Sequence, residues 1–128
     1  MHQFTVHVYY EDTDMAGIVY HANYLKFIER ARSDWVRQMQ VDQALMREQE
    51  GLVFVVRRIE ADYLAPARFE DELRVITTVR SVTGARLALH QEILREGEPI
   101  FTAEVTLVTV TLDGHPARLP EQLRRKVH

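Results

Sequence analysis

The chain contains no cysteine. That excludes disulfides, thiolate nucleophiles and cysteine-ligated metal, and it fits a reducing compartment, so the expected location is cytoplasmic. Glycine and proline are sparse, at five and four residues, and no stretch reads as linker, repeat or low-complexity sequence. No apolar run approaches the ~20 residues that a membrane helix needs, so no integral membrane segment is expected. The N-terminus, Met1-His2-Gln3-Phe4, lacks the basic and apolar regions of a secretory signal. Basic charge is not in excess: 16 Lys and Arg stand against 19 Asp and Glu, a formal net charge of −3. A general nucleic-acid surface is therefore not expected. With 128 residues, 46% of them hydrophobic, the chain reads as one globular domain spanning 1–128.

Chemistry-bearing residues are concentrated in one passage, from Tyr9 to Tyr24, between a strand pattern and a helix pattern. Before it, Phe4, Val6, Val8 and Tyr10 alternate with Thr5, His7 and Tyr9, the pattern of a half-buried strand. Glu11 to Gly17 breaks the alternation and reads as a loop. From about Ala22 to Gln40 the period becomes helical. Tyr24, Ile28, Ala31, Trp35 and Met39 form an apolar stripe flanked by Leu25, Phe27 and Val36. Lys26, Glu29, Arg30, Arg32, Asp34 and Arg37 are assigned to the opposite face, with Arg30/Asp34 and Asp34/Arg37 at pairing distance. Asn23 is placed to cap this helix. A short second helix spans Asp42 to Gln49 and is stopped by Gly51.

The second half is strand-like: Leu52 to Tyr63, Leu73 to Val82, Arg86 to Leu94 and Ile100 to Leu112. These are joined by the Pro66-containing connection, Thr83-Gly84, and Glu96 to Pro99. The tail from Pro116 to His128 has room for a single helical turn at Glu121 to Arg125. Brief connections require antiparallel strands, and one helix against one antiparallel sheet is an α+β architecture. An open sheet has two edges to manage, and pairing one with a second copy predicts a homodimer.

The run Tyr10-x-Asp12-Thr13-Asp14-Met15-Ala16-Gly17-Ile18-Val19-Tyr20-His21-Ala22-Asn23-Tyr24-Leu25 resembles the signature of hotdog-fold acyl-CoA thioesterases of the 4-hydroxybenzoyl-CoA thioesterase type. The YbgC-like branch, associated with the Tol-Pal cell-envelope system, is also matched by Phe27-Ile28-Glu29-Arg30-Ala31-Arg32. Asp62-Tyr63-x-x-Pro66-Ala67 with Asp71, and Pro116-x-Arg118-x-Pro120, match it as well. The resemblance implies a hotdog fold, an antiparallel five- to six-stranded sheet curled around one long central helix. It implies dimers, often paired into tetramers, with active sites at the dimer interface. The implied substrate is a thioester of coenzyme A or of acyl carrier protein, with no separate cofactor because coenzyme A is part of the substrate.

By the same resemblance, Asp14 matches the catalytic aspartate, acting as general base on water or as a nucleophile that forms a mixed anhydride. Glu11 and Asp12 read instead as solvated turn residues or salt-bridge partners. Gly17 is a turn glycine that also helps aim backbone N–H groups, and the donor polarising the carbonyl falls on the backbone N–H of His21. The His21 side chain orients water or assists proton transfer, or else serves as a cap. Tyr10 lines the site or packs in the core, and Asn23 caps, holds the loop or contacts substrate. Arg57, Arg58, Arg80 and Arg86 are the candidates for the coenzyme A phosphates. His7, His21 and Asp14 do not have metal-ligand spacing on one element, and no metal is expected. Two rival readings are a hotdog dehydratase of hydroxyacyl thioesters and a non-enzymatic module that binds acyl thioesters or envelope proteins.

Overall fold

A computed structural model describes residues 1–127; His128, the last residue of the basic tail, and the side chains of Gln122 and Leu123 lie outside the description. The elements run β1 (His2–His7), a 3-10 turn (Tyr10–Asp12) and α1 (Asn23–Gln38). A short helical segment α2 (Gln43–Leu45) continues as a π turn (Met46–Glu50). Then come β2 (Leu52–Tyr63), β3 (Glu72–Thr83), β4 (Arg86–Arg95), β5 (Glu98–Thr111) and α3 (Glu121–Val127). The sheet has five strands in the order β1-β3-β4-β5-β2, and every pair is antiparallel. This is the α+β arrangement the sequence pattern called for, with α1 packed on the inner face of the sheet.

The order carries one correction. β2 and β3 follow each other in sequence but are not neighbours; β4 and β5 lie between them. The connection 64–71 leaves β2 at one edge, where the N–H groups of Leu64 and Ala65 both donate to the Ile100 carbonyl. It ends beside β1, where Glu70 N donates to Val8 O and Val8 N to Asp71 O. It therefore crosses the end of the sheet from which α1 starts.

The inner face follows the strand period of two. Leu73, Val75 and Thr77 of β3, Leu87, Leu89, Gln91 and Ile93 of β4, and Phe101, Ala103, Val105 and Leu107 of β5 are all buried. Bulges in β2 and β3 switch that parity. In β2, Leu52 and Phe54 pack inward before the bulge and Ile59 and Ala61 after it, with Arg57 as the extra residue between Val56 and Arg58. In β3, Arg80 is the extra residue, and the inward set changes from Val79 to Val82. A bulge bends its strand and increases its twist, which suits a sheet curling around a helix.

Several local expectations change. The first strand starts at His2 and ends at His7, so Tyr10 is not a strand residue; it lies on the 3-10 turn and is 81% exposed. Asn23 does not cap α1: the cap residue is Ala22, with no side-chain bond, and Asn23 Nδ2 donates to the Asp12 carbonyl instead. Leu25 is exposed, whereas Arg32 is buried. Arg32 lies four residues after Ile28 and four before Val36, so its position belongs to the apolar stripe although its charge suggests otherwise. Asp34 keeps Arg37 at 3.9 Å, but its short contact is to His2, at 2.8 Å, and no Arg30 pair forms. Pro99 is already in β5, because the turn needs only Glu96 and Gly97, both at positive φ. Asp42 and Gly51 do bracket the short helix: Asp42 Oδ1 accepts from Leu45 N, and Gly51 closes it at φ 65°.

Arg32 is accommodated by a polar row across the sheet. Its Nη1 donates to Gln91 Oε1 at 3.0 Å, and Gln91 Nε2 donates to the Ile28 carbonyl and to Thr77 Oγ1, each at 3.0 Å. Burial pushes the Arg32 guanidinium below its ordinary range, and Glu29 opposes that shift. Removing one buried partner strands the other, whereas removing both together is nearly neutral. Gln91→Leu is therefore expected to destabilise the fold by about 2–3 kcal/mol in urea unfolding, and Gln91→Leu/Arg32→Met to recover most of that loss.

Candidate active site

The loop after the 3-10 turn closes on itself. Thr13 and Val19 form an isolated antiparallel bridge, Asp14 N donates to Ile18 O at 2.9 Å, and Gly17 N donates to Asp14 O at 3.0 Å. This tight return needs a residue at φ +78° at position 17, a region closed to most side chains, and glycine supplies it. Asp14 Oδ1 accepts from Ala16 N at 2.9 Å. Its second oxygen has no partner among the described residues, so one oxygen shapes the turn and the other remains available. Tyr10, Thr13, Asp14, Met15, Gly17 and Phe69 line an open hollow of about 680 Å³ around it.

The neighbouring carboxylates have other work. Asp12 Oδ2 accepts from Tyr9 N at 2.8 Å, and the Asp12 carbonyl takes Tyr20 N and Asn23 Nδ2, each at 2.9 Å. Asp12 thus ties the 3-10 turn to the head of α1, and neither it nor Glu11 forms an ion pair among the described residues. Asn23 serves in holding the loop.

His21 stands exposed at the head of α1, its ring 4.6 Å from that of Tyr20 and 6.4 Å from that of Tyr63. Its backbone N–H donates to no group among the described residues, while its carbonyl accepts from the Tyr63 hydroxyl at 2.9 Å. His21 does not line the hollow around Asp14. The structure brings Asp14, Tyr10 and Gly17 together and sets His21 and Asn23 beside them on the same connection.

A second segment, which sequence reading did not single out as part of the site, completes the arrangement. Val19 N donates to Ala67 O at 2.8 Å, Ile18 bridges Arg68, and Ala67 N donates to Tyr24 Oη at 2.9 Å. Burial pushes the Tyr24 hydroxyl above its ordinary range, so it stays neutral as an acceptor. Phe69 meets Tyr10 edge to face at 6.0 Å. Asp71 Oδ2 accepts from Arg68 N at 2.8 Å and from Arg95 Nη1 at 3.4 Å, and Arg95 also donates to the Pro66 carbonyl. Phe69 is an aromatic residue followed by Glu70 at φ 74°, left half-exposed on a loop, and no periodicity signals such a position.

The arginine candidates do not converge on Asp14. Arg57 is the exposed bulge residue of β2, Arg58 is engaged with Glu60, and Arg80 sits 3.6 Å from Glu104. Arg86 pairs with Thr83 and Val108, at the end of the sheet away from the Asp14 loop. No group of three or more His, Asp or Glu among the described residues could hold a metal ion.

An antiparallel sheet wrapped on one helix, with a carboxylate loop at the helix head, is the arrangement that the thioesterase resemblance implied, and comparison identifies the family. Residues 8–127 match the profile of the Thioesterase-like superfamily, and the chain belongs to it. Within it, the chain belongs with the YbgC acyl-CoA thioesterases. It is 38% identical over 126 residues to acyl-CoA thioesterase YbgC of Haemophilus influenzae, covering 98% of this chain and 93% of that one. It is 43% identical over 121 residues to acyl-CoA thioester hydrolase YbgC of Escherichia coli O6:H1, covering 92% and 89%. The fold superposes on a probable thioesterase from Bartonella henselae with a TM-score of 0.89 at 38% identity, covering 93% of this chain and 98% of that one.

The Tyr24–Ala67 bond gives a stability test. Tyr24→Phe keeps the ring and leaves a buried N–H without an acceptor. It is expected to cost about 1–3 kcal/mol and lower Tm, read by thermal unfolding.

Proposed function

We propose that this protein is a hydrolase of acyl-CoA thioesters, in which water adds to the acyl carbon and the coenzyme A thiol leaves, giving free acid and thiol. The observation that carries the reading is the Asp14 carboxylate, one oxygen fixed by Ala16 N–H and the other without a partner among the described residues, in an open hollow beside a helix head whose His21 N–H likewise has none among them. A thiolate leaves readily, so the demand falls on activating the attacking water and stabilising charge on the carbonyl oxygen. Asp14 serves as general base or as nucleophile. The His21 N–H, at the positive end of α1, polarises the carbonyl, and the His21 imidazole orients water or assists proton transfer. Tyr10 and Gly17 shape the hollow, and Asn23 holds the loop against the helix head.

The working unit in this reading is a homodimer, assembling to a tetramer. β2 lies at the edge of the sheet with Val55 and Val56 exposed, a row of backbone groups open to a second strand. Arg57 has no partner among the described residues and is the readiest contact for a coenzyme A phosphate. Arg58 and Arg86 reach a site only if the second protomer brings one to them. The acyl group comes from coenzyme A or from acyl carrier protein, and the enzyme acts in the cytoplasm in connection with the Tol-Pal cell-envelope system.

Thiol release from a panel of short, long and aromatic acyl-CoAs and acyl carrier protein thioesters tests the activity. Wild type is expected to turn over, and Asp14→Asn to lose on the order of 10²–10⁴-fold in kcat with the fold intact. His21→Ala is expected to lose less, because the backbone donor remains. Unchanged turnover in Asp14→Asn removes Asp14 from the mechanism, and no turnover of any thioester favours a binding module. Sedimentation should give about twice the 15.0 kDa chain mass, or a higher even multiple.

A further inference from the structure

The geometry points to Tyr63 as a positioning residue for this reaction: its hydroxyl holds the His21 carbonyl and so fixes, at the head of α1, the residue whose N–H polarises the substrate carbonyl. The inference rests on the thioesterase reading above.

In an uninterrupted α-helix the His21 carbonyl would accept from the N–H four residues on, that of Leu25. Here Leu25 N donates to the Ala22 carbonyl at 3.2 Å, and the Tyr63 hydroxyl takes the His21 carbonyl at 2.9 Å. A side chain from the end of β2 thus occupies the acceptor that would otherwise draw His21 into the first turn. The residue so held is the one whose N–H donates to no described group.

Tyr63 is itself fixed before it makes this bond. Its ring stands edge-on to Tyr24, at 5.4 Å and 87°, and to Phe101, at 5.0 Å and 80°. Those two rings stack on each other at 5.3 Å. Tyr63 is half-exposed, and leaning on these two rings narrows the directions its hydroxyl can take toward the carbonyl it meets. The hydroxyl only donates here, since a carbonyl only accepts, and no proton leaves it during hydrolysis. Its contribution comes through the His21 peptide, which makes it a positioning residue.

Tyr63→Phe keeps the ring and deletes the hydroxyl. An oxyanion donor that drifts by an ångström loses on the order of 10²-fold or less. We expect kcat to fall about 10- to 100-fold, with KM within about twofold, Tm little changed and the kcat pH profile unmoved, because the hydroxyl transfers no proton in the reaction. A readout independent of activity is the backbone amide NMR spectrum. The His21 and Leu25 signals should shift in Tyr63→Phe while that of Ala67, bonded to Tyr24, stays. An unchanged kcat overturns the inference, as does a loss of kcat accompanied by a raised KM and a lowered Tm. If wild type hydrolyses no thioester, the functional reading fails on its own. Unmoved His21 and Leu25 amides would then separately overturn the positioning of His21 by Tyr63.

Discussion

Both polar groups of one buried residue, Ala67, hold the site to the fold. Its N–H is taken by the Tyr24 hydroxyl and its carbonyl by the Val19 N–H. The crossing from β2 to β3 thereby becomes a floor on which the Asp14 loop and the first turn of α1 both rest. Ala67 is fully buried, so neither bond can be traded for water without leaving an unpaired group in the interior. The other ties depend on that docking. Asp12 bonds back to the helix head, Asp71 and Arg95 fix the crossing segment, and Gly17 makes the return that aims Asp14 outward.

Much of this was legible in the sequence because it rests on local patterns. Strand-like runs between turn signals marked β2 to β5, the period of three to four marked α1, and Asp42 and Gly51 bracketed the short helix. Asp14 and Gly17 were singled out by the resemblance of their run to a known signature; as a lone carboxylate and glycine before a helix they read equally as turn residues. What escaped was set by tertiary position. Arg32 carries a charge into the apolar stripe because Gln91, itself held by Thr77 on the neighbouring strand, receives it; sorting side chains by charge could not show that. Tyr10 continued the alternation of β1 in sequence, but the 3-10 turn held by Asp12 ends the strand first. The parity switches at Arg57 and Arg80 are bulges, visible only once the partner strand is known. Phe69 reaches the site from a connection whose matched residues, Pro66, Ala67 and Asp71, did not themselves mark it as part of the site, and Arg95 fixes that connection from a strand end.

The proposed chemistry draws on a division of labour at the head of α1. A helix start leaves N–H groups unpaired, and here β2 and the 66–71 crossing occupy the groups around His21 without occupying its N–H. The carboxylate is treated the same way, with one oxygen committed to the turn and one left. Each group of the proposed mechanism is thus half-used by the scaffold, which fixes its direction while leaving one hydrogen-bonding position open. No carboxylate beyond Asp14 is needed for a thioester, whose leaving group requires little protonation.

The most direct test of this account is a crystal structure with a non-hydrolysable acyl-CoA analogue whose thioester is replaced by a ketone. The account predicts the ketone oxygen about 2.7–3.1 Å from His21 N. The free Asp14 oxygen should lie about 3–3.5 Å from the carbonyl carbon, or be separated from it by one water. An analogue bound with its carbonyl away from the helix head, or with Asp14 turned to solvent and out of reach, would contradict it.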